Sequence, residues 1–270
     1  MRFHRLTVDQ VRRETDDTVS VSFQVPDDLQ EEYRFTQGQH LTLRRAFKGE
    51  EVRRSYSICS AVDDNDLRIA VKAIPQGVFS GFLHQQLVAG DRIEVGPPIG
   101  HFNVPLETDH RKRYAAFAAG SGITPVISII KTTLSAEPHS AFSLVYGNRE
   151  TRSIIFREDL ERLKNTYLGR FSITHALSRE DRDNPLLDGR IDCGRTRRLL
   201  ETLVPPERFD EFFLCGPKEM IDTVHEALIE KGVDRSRIHF ELFTAPDQTF
   251  DRSNFQHSDR GTQAVGHSTV

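Results

Sequence analysis

The chain has 270 residues, 37% hydrophobic and 28% charged, which is enough apolar material for the cores of two ordinary domains. A formal charge of -4 at pH 7 argues against bulk affinity for nucleic acid or anionic membranes. The N-terminus, MRFHRLTVDQ, has no apolar leader core and no apolar run reaches about 18 residues, so a cytoplasmic chain without membrane association is expected.

Period-two alternation dominates as far as about residue 105. RFHRLTVDQV, TVSVSFQV, HLTLRRAF, YSICSAV and LRIAVKAI read as strands, parted by turn sequences such as PDD and DDND. Only VFSGFLHQQLV, residues 78–88, has helical spacing in this half. The pattern predicts an antiparallel β-barrel or sandwich. After ETDHRKR the rhythm changes. RYAAFAAG leads into PVISIIKTTL, AFSLVYGN into FREDLERLKN, RFSITHAL is followed by CGRTRRLLETL, and EFFLCG leads into PKEMIDTVHEALIEKG before IHFELF. Repeated strand–helix units predict an α/β domain with a parallel sheet and ligands at the carboxyl ends of its strands. The expected organisation is a β domain at 1–108, an α/β domain at 109–245 and a polar, disordered tail at 246–270.

Four stretches carry candidate chemistry. In RRSYSICS, Arg54 and Tyr56 share one strand face and Ser57 takes the other. A tyrosine can lie against a flat ring system, an arginine can hold a phosphate and a serine hydroxyl can reach a ring nitrogen. An ordinary cross-strand pair on a solvated face would use the same residues. In VKAIPQGVFSGFL, Gly77, Val78, Phe79 and Ser80 open the predicted helix, where free N–H groups and a hydroxyl suit a pyrophosphate, or simply cap the helix. In AAGSGITPV, Gly120 and Gly122 permit close backbone approach to a ligand, Thr124 can cap or contact it, and Pro125 fits a first helical turn. This is not the G-x-G-x-x-G fingerprint. In FFLCGPKEM, Cys215 and Gly216 end a strand where a ring could be admitted, although a lone cysteine also serves as a small hydrophobe. The spacing of Cys59, Cys193 and Cys215 suits neither zinc nor an iron–sulfur cluster, so reduced thiols and no metal are expected.

The order R-x-Y-S, G-x-x-S, G-x-G-I-T-P, C-G-P, running from a β half into an α/β half, resembles the ferredoxin–NADP reductase superfamily over roughly residues 1–245. With VYGNRE, IIFREDLERLK and HFELF, the chain is similar to reductase components of bacterial oxygenases of the phenylacetyl-CoA epoxygenase type. The resemblance implies FAD in the barrel, NAD(P)H in the α/β domain and hydride passing between them. It implies that Arg54, Ser55, Tyr56 and Ser57 touch flavin and pyrophosphate, and that Val71 and Lys72 lie along the flavin. Gly77, Val78, Phe79 and Ser80 would hold the pyrophosphate. Gly120, Gly122, Thr124, Pro125, Cys215 and Gly216 would frame the nicotinamide. Cys215 and Glu241 are the catalytic candidates, and Phe243 would cover the flavin. Ser178 and Arg179 in HALSRE, with Arg149, resemble a 2′-phosphate grip, so NADPH is expected over NADH.

The sequence ends at Val270 without the C-x4-C-x2-C pattern of a plant-type ferredoxin domain. The expectation is therefore either one of the shorter ferredoxin or flavodoxin reductases or a truncated relative, with no iron–sulfur cluster in this chain and a separate ferredoxin, flavodoxin or oxygenase component as acceptor. Arg44, Arg45, Lys48 and Arg53 form a candidate basic docking patch for it. The alternatives are a flavin reductase that releases free reduced flavin, and a non-catalytic redox regulator.

Overall fold

The computed structural model describes residues 2–243, and the expected tail at 246–270 lies outside the described residues. The first half contains β1 (His4–Thr15), β2 (Thr18–Gln24), β3 (His40–Phe47), β4 (Glu50–Ser57), β5 (Leu67–Lys72), α1 (Val78–Gln85) and β6 (Arg92–Val95). The strands form an antiparallel sheet in the order β4-β3-β6-β1-β2-β5. A bridge between Ile58 and Ile69 joins the tail of β4 to β5, and Cys59 N–H donates to Arg68 O at 2.8 Å, so the sheet closes into a barrel. Leu6, Val8, Val21, Leu41, Leu43, Ile69 and Val71 fill the interior, and α1 adds Phe79, Phe82 and Leu83.

Lys48 (φ 51°) and Gly49 (φ 88°) make the two-residue turn between β3 and β4. Two positive φ angles in succession suit the right-handed twist of a tight hairpin. This turn fixes a register in which His40 faces Ser57, Leu41 faces Tyr56 and Leu43 faces Arg54. It also corrects two expectations. The strand read over RRSYSICS begins earlier, at Glu50, because Glu50–Val52 also pair with β3, and the four-residue β6 had no sequence counterpart.

The second half runs β7 (Arg113–Ala119), α2 (Ile123–Ala136), β8 (Ala141–Asn148), α3 (Arg157–Thr166), β9 (Phe171–Leu177), α4 (Cys193–Thr202), β10 (Glu211–Gly216), α5 (Lys218–Glu230) and β11 (Ile238–Leu242). Its five strands are parallel, in the order β11-β10-β7-β8-β9. Along β7 the side chains alternate: Tyr114, Ala116 and Ala118 pack with α2 and α3, Ala115 and Phe117 with α4 and α5. The strand order reverses between β7 and β10, so the segments 120–122 and 216–217 leave the sheet side by side at its crevice.

The halves share one apolar cluster, in which Cys59, Ala70, Phe102 and Val104 of the first half join α2 and β10. Phe102 meets Phe213 edge-on at 5.6 Å. At the rim, Ser135 Oγ donates to Asp63 (2.5 Å), Lys131 Nζ to Asp64 (3.3 Å) and Arg12 to Asp159 (2.9 Å).

Candidate functional site

The barrel contributes a cation, a ring and free amides at one place. Tyr56 is half-buried and packs against Phe79 of α1, ring centroids 6.2 Å apart. Burial pushes its hydroxyl above the usual phenol range, with the Arg54 charge opposing. Arg54 is exposed, and among the described residues its guanidinium donates only to the Arg53 carbonyl, at 2.7 Å. The first helical bond of α1 runs from Gly81 N–H to Gly77 O at 2.8 Å, which leaves the amides of Val78, Phe79 and Ser80 without partners inside the helix. An uncompensated guanidinium beside free helix amides and an aromatic ring is a donor set that fits a diphosphate carrying a flat ring system.

Several of the expected contact groups have partners within the protein. The Ser80 hydroxyl is buried, accepting from Ile74 N–H (3.1 Å) and donating to Gly77 O (3.3 Å), so it ties the loop together and leaves only its amide for a phosphate. Val71 and Phe79 point into the barrel core, 1% and 2% exposed, so only their main chains can meet a ligand. Lys72 is paired with Asp17 at 3.2 Å, and Ser55 shares a hydrogen bond with Thr42 at 3.1 Å. The basic patch is likewise incomplete. Arg44 forks onto Glu94 (3.1 and 3.0 Å) and Arg53 pairs with Glu51 (2.7 Å), so half of its charge is neutralised within the protein.

Across the crevice, Ser57 Oγ donates to Glu241 Oε2 at 3.3 Å, and His40 Nδ1 lies 3.8 Å from Glu241 Oε1. Burial pushes the Glu241 carboxyl up to about 7, the Ser57 bond offsetting part of the effect, and burial lowers His40. Near neutral pH this carboxyl is poised to hold or release a proton. His40 escaped the sequence reading. The Lys48–Gly49 turn was its available signal, since a two-residue hairpin there puts His40 opposite Ser57.

Cys215 is fully buried next to Glu241 in the β10–β11 register. Burial, then the nearby Glu241, raise its thiol well above the ordinary range, so it is neutral and shapes the wall rather than acting as a thiolate. A Cβ at Gly122 would lie 2.1 Å from Cys215 O and 2.8 Å from Gly216 N. The close approach expected of that glycine is therefore to the chain's own backbone. A Cβ at Gly216 would lie 2.8 Å from the flexible end of Met220 and 3.1 Å from Ala119 N, a looser fit than at Gly122. Gly120 has open space and φ +53°, and its carbonyl accepts from Tyr146 Oη at 2.9 Å. Thr124 is buried and donates to Ser121 O at 3.0 Å, while Pro125 is buried in the first turn of α2. Phe243 is 45% exposed just beyond β11.

At the ends of β8 and β9, Ser178 N–H donates to Asn148 O (3.0 Å) and Arg179 N–H to Arg149 O (2.8 Å). The pairing continues past the strands and brings Arg149 and Arg179 together. Both are exposed and, among the described residues, neither has a carboxylate partner, whereas Arg152 pairs with Glu150 (3.0 Å) and Arg182 with Asp188 (3.3 Å). Among the described residues no cluster of three or more His, Cys, Asp or Glu is arranged to hold a metal. No helix among them is long and apolar enough to cross a membrane.

A barrel carrying one helix with open N-terminal amides, followed by a parallel sheet with a crevice at its switch point, matches the architecture of a two-domain flavoprotein oxidoreductase. Residues 5–104 match the oxidoreductase FAD-binding domain and residues 117–226 the oxidoreductase NAD-binding domain. The chain is 44% identical over 257 residues to a component protein of 1,2-phenylacetyl-CoA epoxidase from Escherichia coli K12, spanning 95% of this chain and 72% of that protein. It is 37% identical over 242 residues to the ferredoxin reductase component of 3-ketosteroid-9-alpha-monooxygenase from Rhodococcus rhodochrous, spanning 89% of this chain and 65% of that one. The solved Amycolatopsis cytochrome P450 reductase GcoB superposes with a TM-score of 0.76 at 28% identity, over 90% of this chain and 70% of that one. The chain belongs to the ferredoxin–NADP reductase superfamily and carries its FAD-binding and NAD(P)-binding domains.

Proposed function

We propose that this chain draws electrons from NADPH through FAD and delivers them to a separate ferredoxin, flavodoxin or oxygenase component in the cytoplasm. The observation that carries the reading is the Ser57–Glu241 hydrogen bond, which ties the motif strand of the barrel to the last strand of the nucleotide sheet at the crevice. FAD, when bound, supplies the conversion between a two-electron donor and one-electron acceptors. Arg54 and the amides of residues 78–80 hold its diphosphate, and Tyr56 lies against its rings. Ser57 offers a hydroxyl to the ring system while Glu241, at about 7, holds or returns a proton through it. Buried Cys215 and Gly122, with half-buried Gly216, form a close-packed wall that orients the nicotinamide.

Arg149 and Arg179 hold the 2′-phosphate, because two guanidiniums without carboxylate partners among the described residues favour a doubly charged group. The names of the two relatives, a component of an epoxidase and a reductase component of a monooxygenase, support an oxygenase system as the destination. Buried, unpaired Cys59 and Cys215 suit a reducing compartment. The test is steady-state oxidation of NADPH by the purified chain with ferricyanide and with separate ferredoxins and flavodoxins. Turnover with ferricyanide and with at least one protein acceptor is expected. Turnover that requires added free flavin, or none with any acceptor, would overturn the reading.

A further inference from the structure

We infer that Arg45 is a second cofactor-binding arginine, which holds the AMP half of the dinucleotide and makes the site selective for FAD over FMN; this rests on the flavin-site reading above. The β3–β4 hairpin carries four arginines, and the pleat sorts them by face. Arg44 and Arg53 lie on the outer face, stacked on Phe3 with guanidinium carbons 4.2 and 5.3 Å from its centroid and neutralised by Glu94 and Glu51. Arg45 and Arg54 lie on the face shared with Tyr56, since opposed residues in the register point to the same side: Leu41 with Tyr56, Leu43 with Arg54, Arg45 with Val52. Neither of these two has a carboxylate partner among the described residues. Of the arginines expected to form one docking patch, Arg44 and Arg53 are thus compensated on the outer face, while Arg45 stands uncompensated with Arg54 on the cofactor face.

The order along the strand assigns the roles. Side chains on one face repeat every two residues, about 7 Å apart. Starting from the Tyr56 row, Arg54 stands one row away and Arg45 two rows away, in the direction that leads from ring to tail of a bound dinucleotide. The Arg45 guanidinium is held 4.0 Å from the Phe82 ring centroid and 5.8 Å from that of Phe47. Phe82 belongs to α1, one turn beyond the free amides at its start, and Phe47 packs on Phe79 and Phe82 at 5.5 and 5.7 Å. A guanidinium held over an aromatic ring leaves N–H donors available while its position is restrained. A flavin mononucleotide ends at the Arg54 row. Only a dinucleotide reaches the Arg45 row, with its second phosphate or adenosine.

The test titrates the flavin-stripped full-length chain with FAD and, separately, with FMN by fluorescence quenching, for wild type, R45A, R45K, R54A and K48A. R45A is expected to weaken FAD about tenfold while FMN changes less than about twofold. R45K should recover part of the FAD affinity, because it keeps the charge but not the planar stacking. R54A should weaken both flavins. K48A removes one positive charge at the exposed hairpin turn and should change neither, which separates contact from net charge. Circular dichroism confirms that each variant is folded. An unchanged FAD-to-FMN ratio in folded R45A, or equal weakening of both, overturns this inference while leaving the flavin site intact. If R54A also leaves both flavins unaffected, the reading of the site itself fails.

Discussion

In the barrel, the candidate ligand groups are side chains in the middle of a hairpin, held on one face by the pleat and stiffened by ring packing onto α1. In the parallel sheet they sit past the ends of the strands, where main-chain pairing carries Arg149 and Arg179 together and the glycines let one loop touch another. The first arrangement presents charge on a rigid surface, and the second shapes a crevice whose depth depends on the fit of two backbones. Cofactor retention should therefore respond to single side chains in the barrel, and coenzyme choice to the strand ends of the sheet. Glu241 belongs to both, because it hangs from the sheet and bonds to the barrel.

The largest effect is expected at that junction. The folded protein keeps a proton on Glu241 up to about pH 7, whereas the unfolded chain releases it near the ordinary value of 4.5. Between these values the native state binds more protons than the unfolded one, so stability falls as pH rises through the window, by up to about 3 kcal/mol. Glu241→Gln should remove that slope, read as urea midpoints at about pH 5 and pH 8. An unaltered slope would detach Glu241 from the junction.

Next comes Arg54→Ala, which removes a charge-assisted contact worth about 1.5–3 kcal/mol. Purified R54A should bind FAD one to two orders of magnitude more weakly, with KM for NADPH little changed. Full flavin occupancy with unchanged affinity would show that the barrel face does not govern retention. In the other half, Arg179→Ala should raise KM for NADPH about tenfold, with kcat and NADH turnover nearly constant, as expected for binding lost equally from ground and transition states. Equal wild-type efficiency with the two coenzymes would break that half of the comparison. The smallest effect belongs to the rim. Asp64→Asn removes a partly exposed pair with Lys131 and should cost under about 1 kcal/mol in a denaturant titration, so a larger loss would mean that the rim, not the shared apolar cluster, joins the halves.

Alternation and strand–helix rhythm were sufficient to read both sheets, because period is a local property that each half carries throughout. β6 was lost because four residues, RIEV, hold too few alternations to register, and the start of β4 because EEV opens on two charged residues beside a turn. Within the site, residue type told which chemistry was present but not which atoms were free. Ser80 and Arg54 both looked phosphate-competent, yet the hydroxyl is engaged within its own loop while the guanidinium is open. Gly122 signalled close approach, but only the tertiary fold shows that Cys215 lies on the other side. His40 reached the site through register alone.

The central claim is that the two halves form one path from NADPH to a bound flavin. Mixing the purified protein with NADPH under anaerobic conditions in a stopped-flow instrument, without added flavin, follows the visible flavin absorbance directly. Bound flavin is expected to bleach completely in a single turnover, faster with NADPH than with NADH at low coenzyme, and to recover when an oxidised acceptor protein is added. Flavin that stays oxidised in the presence of excess NADPH would contradict it.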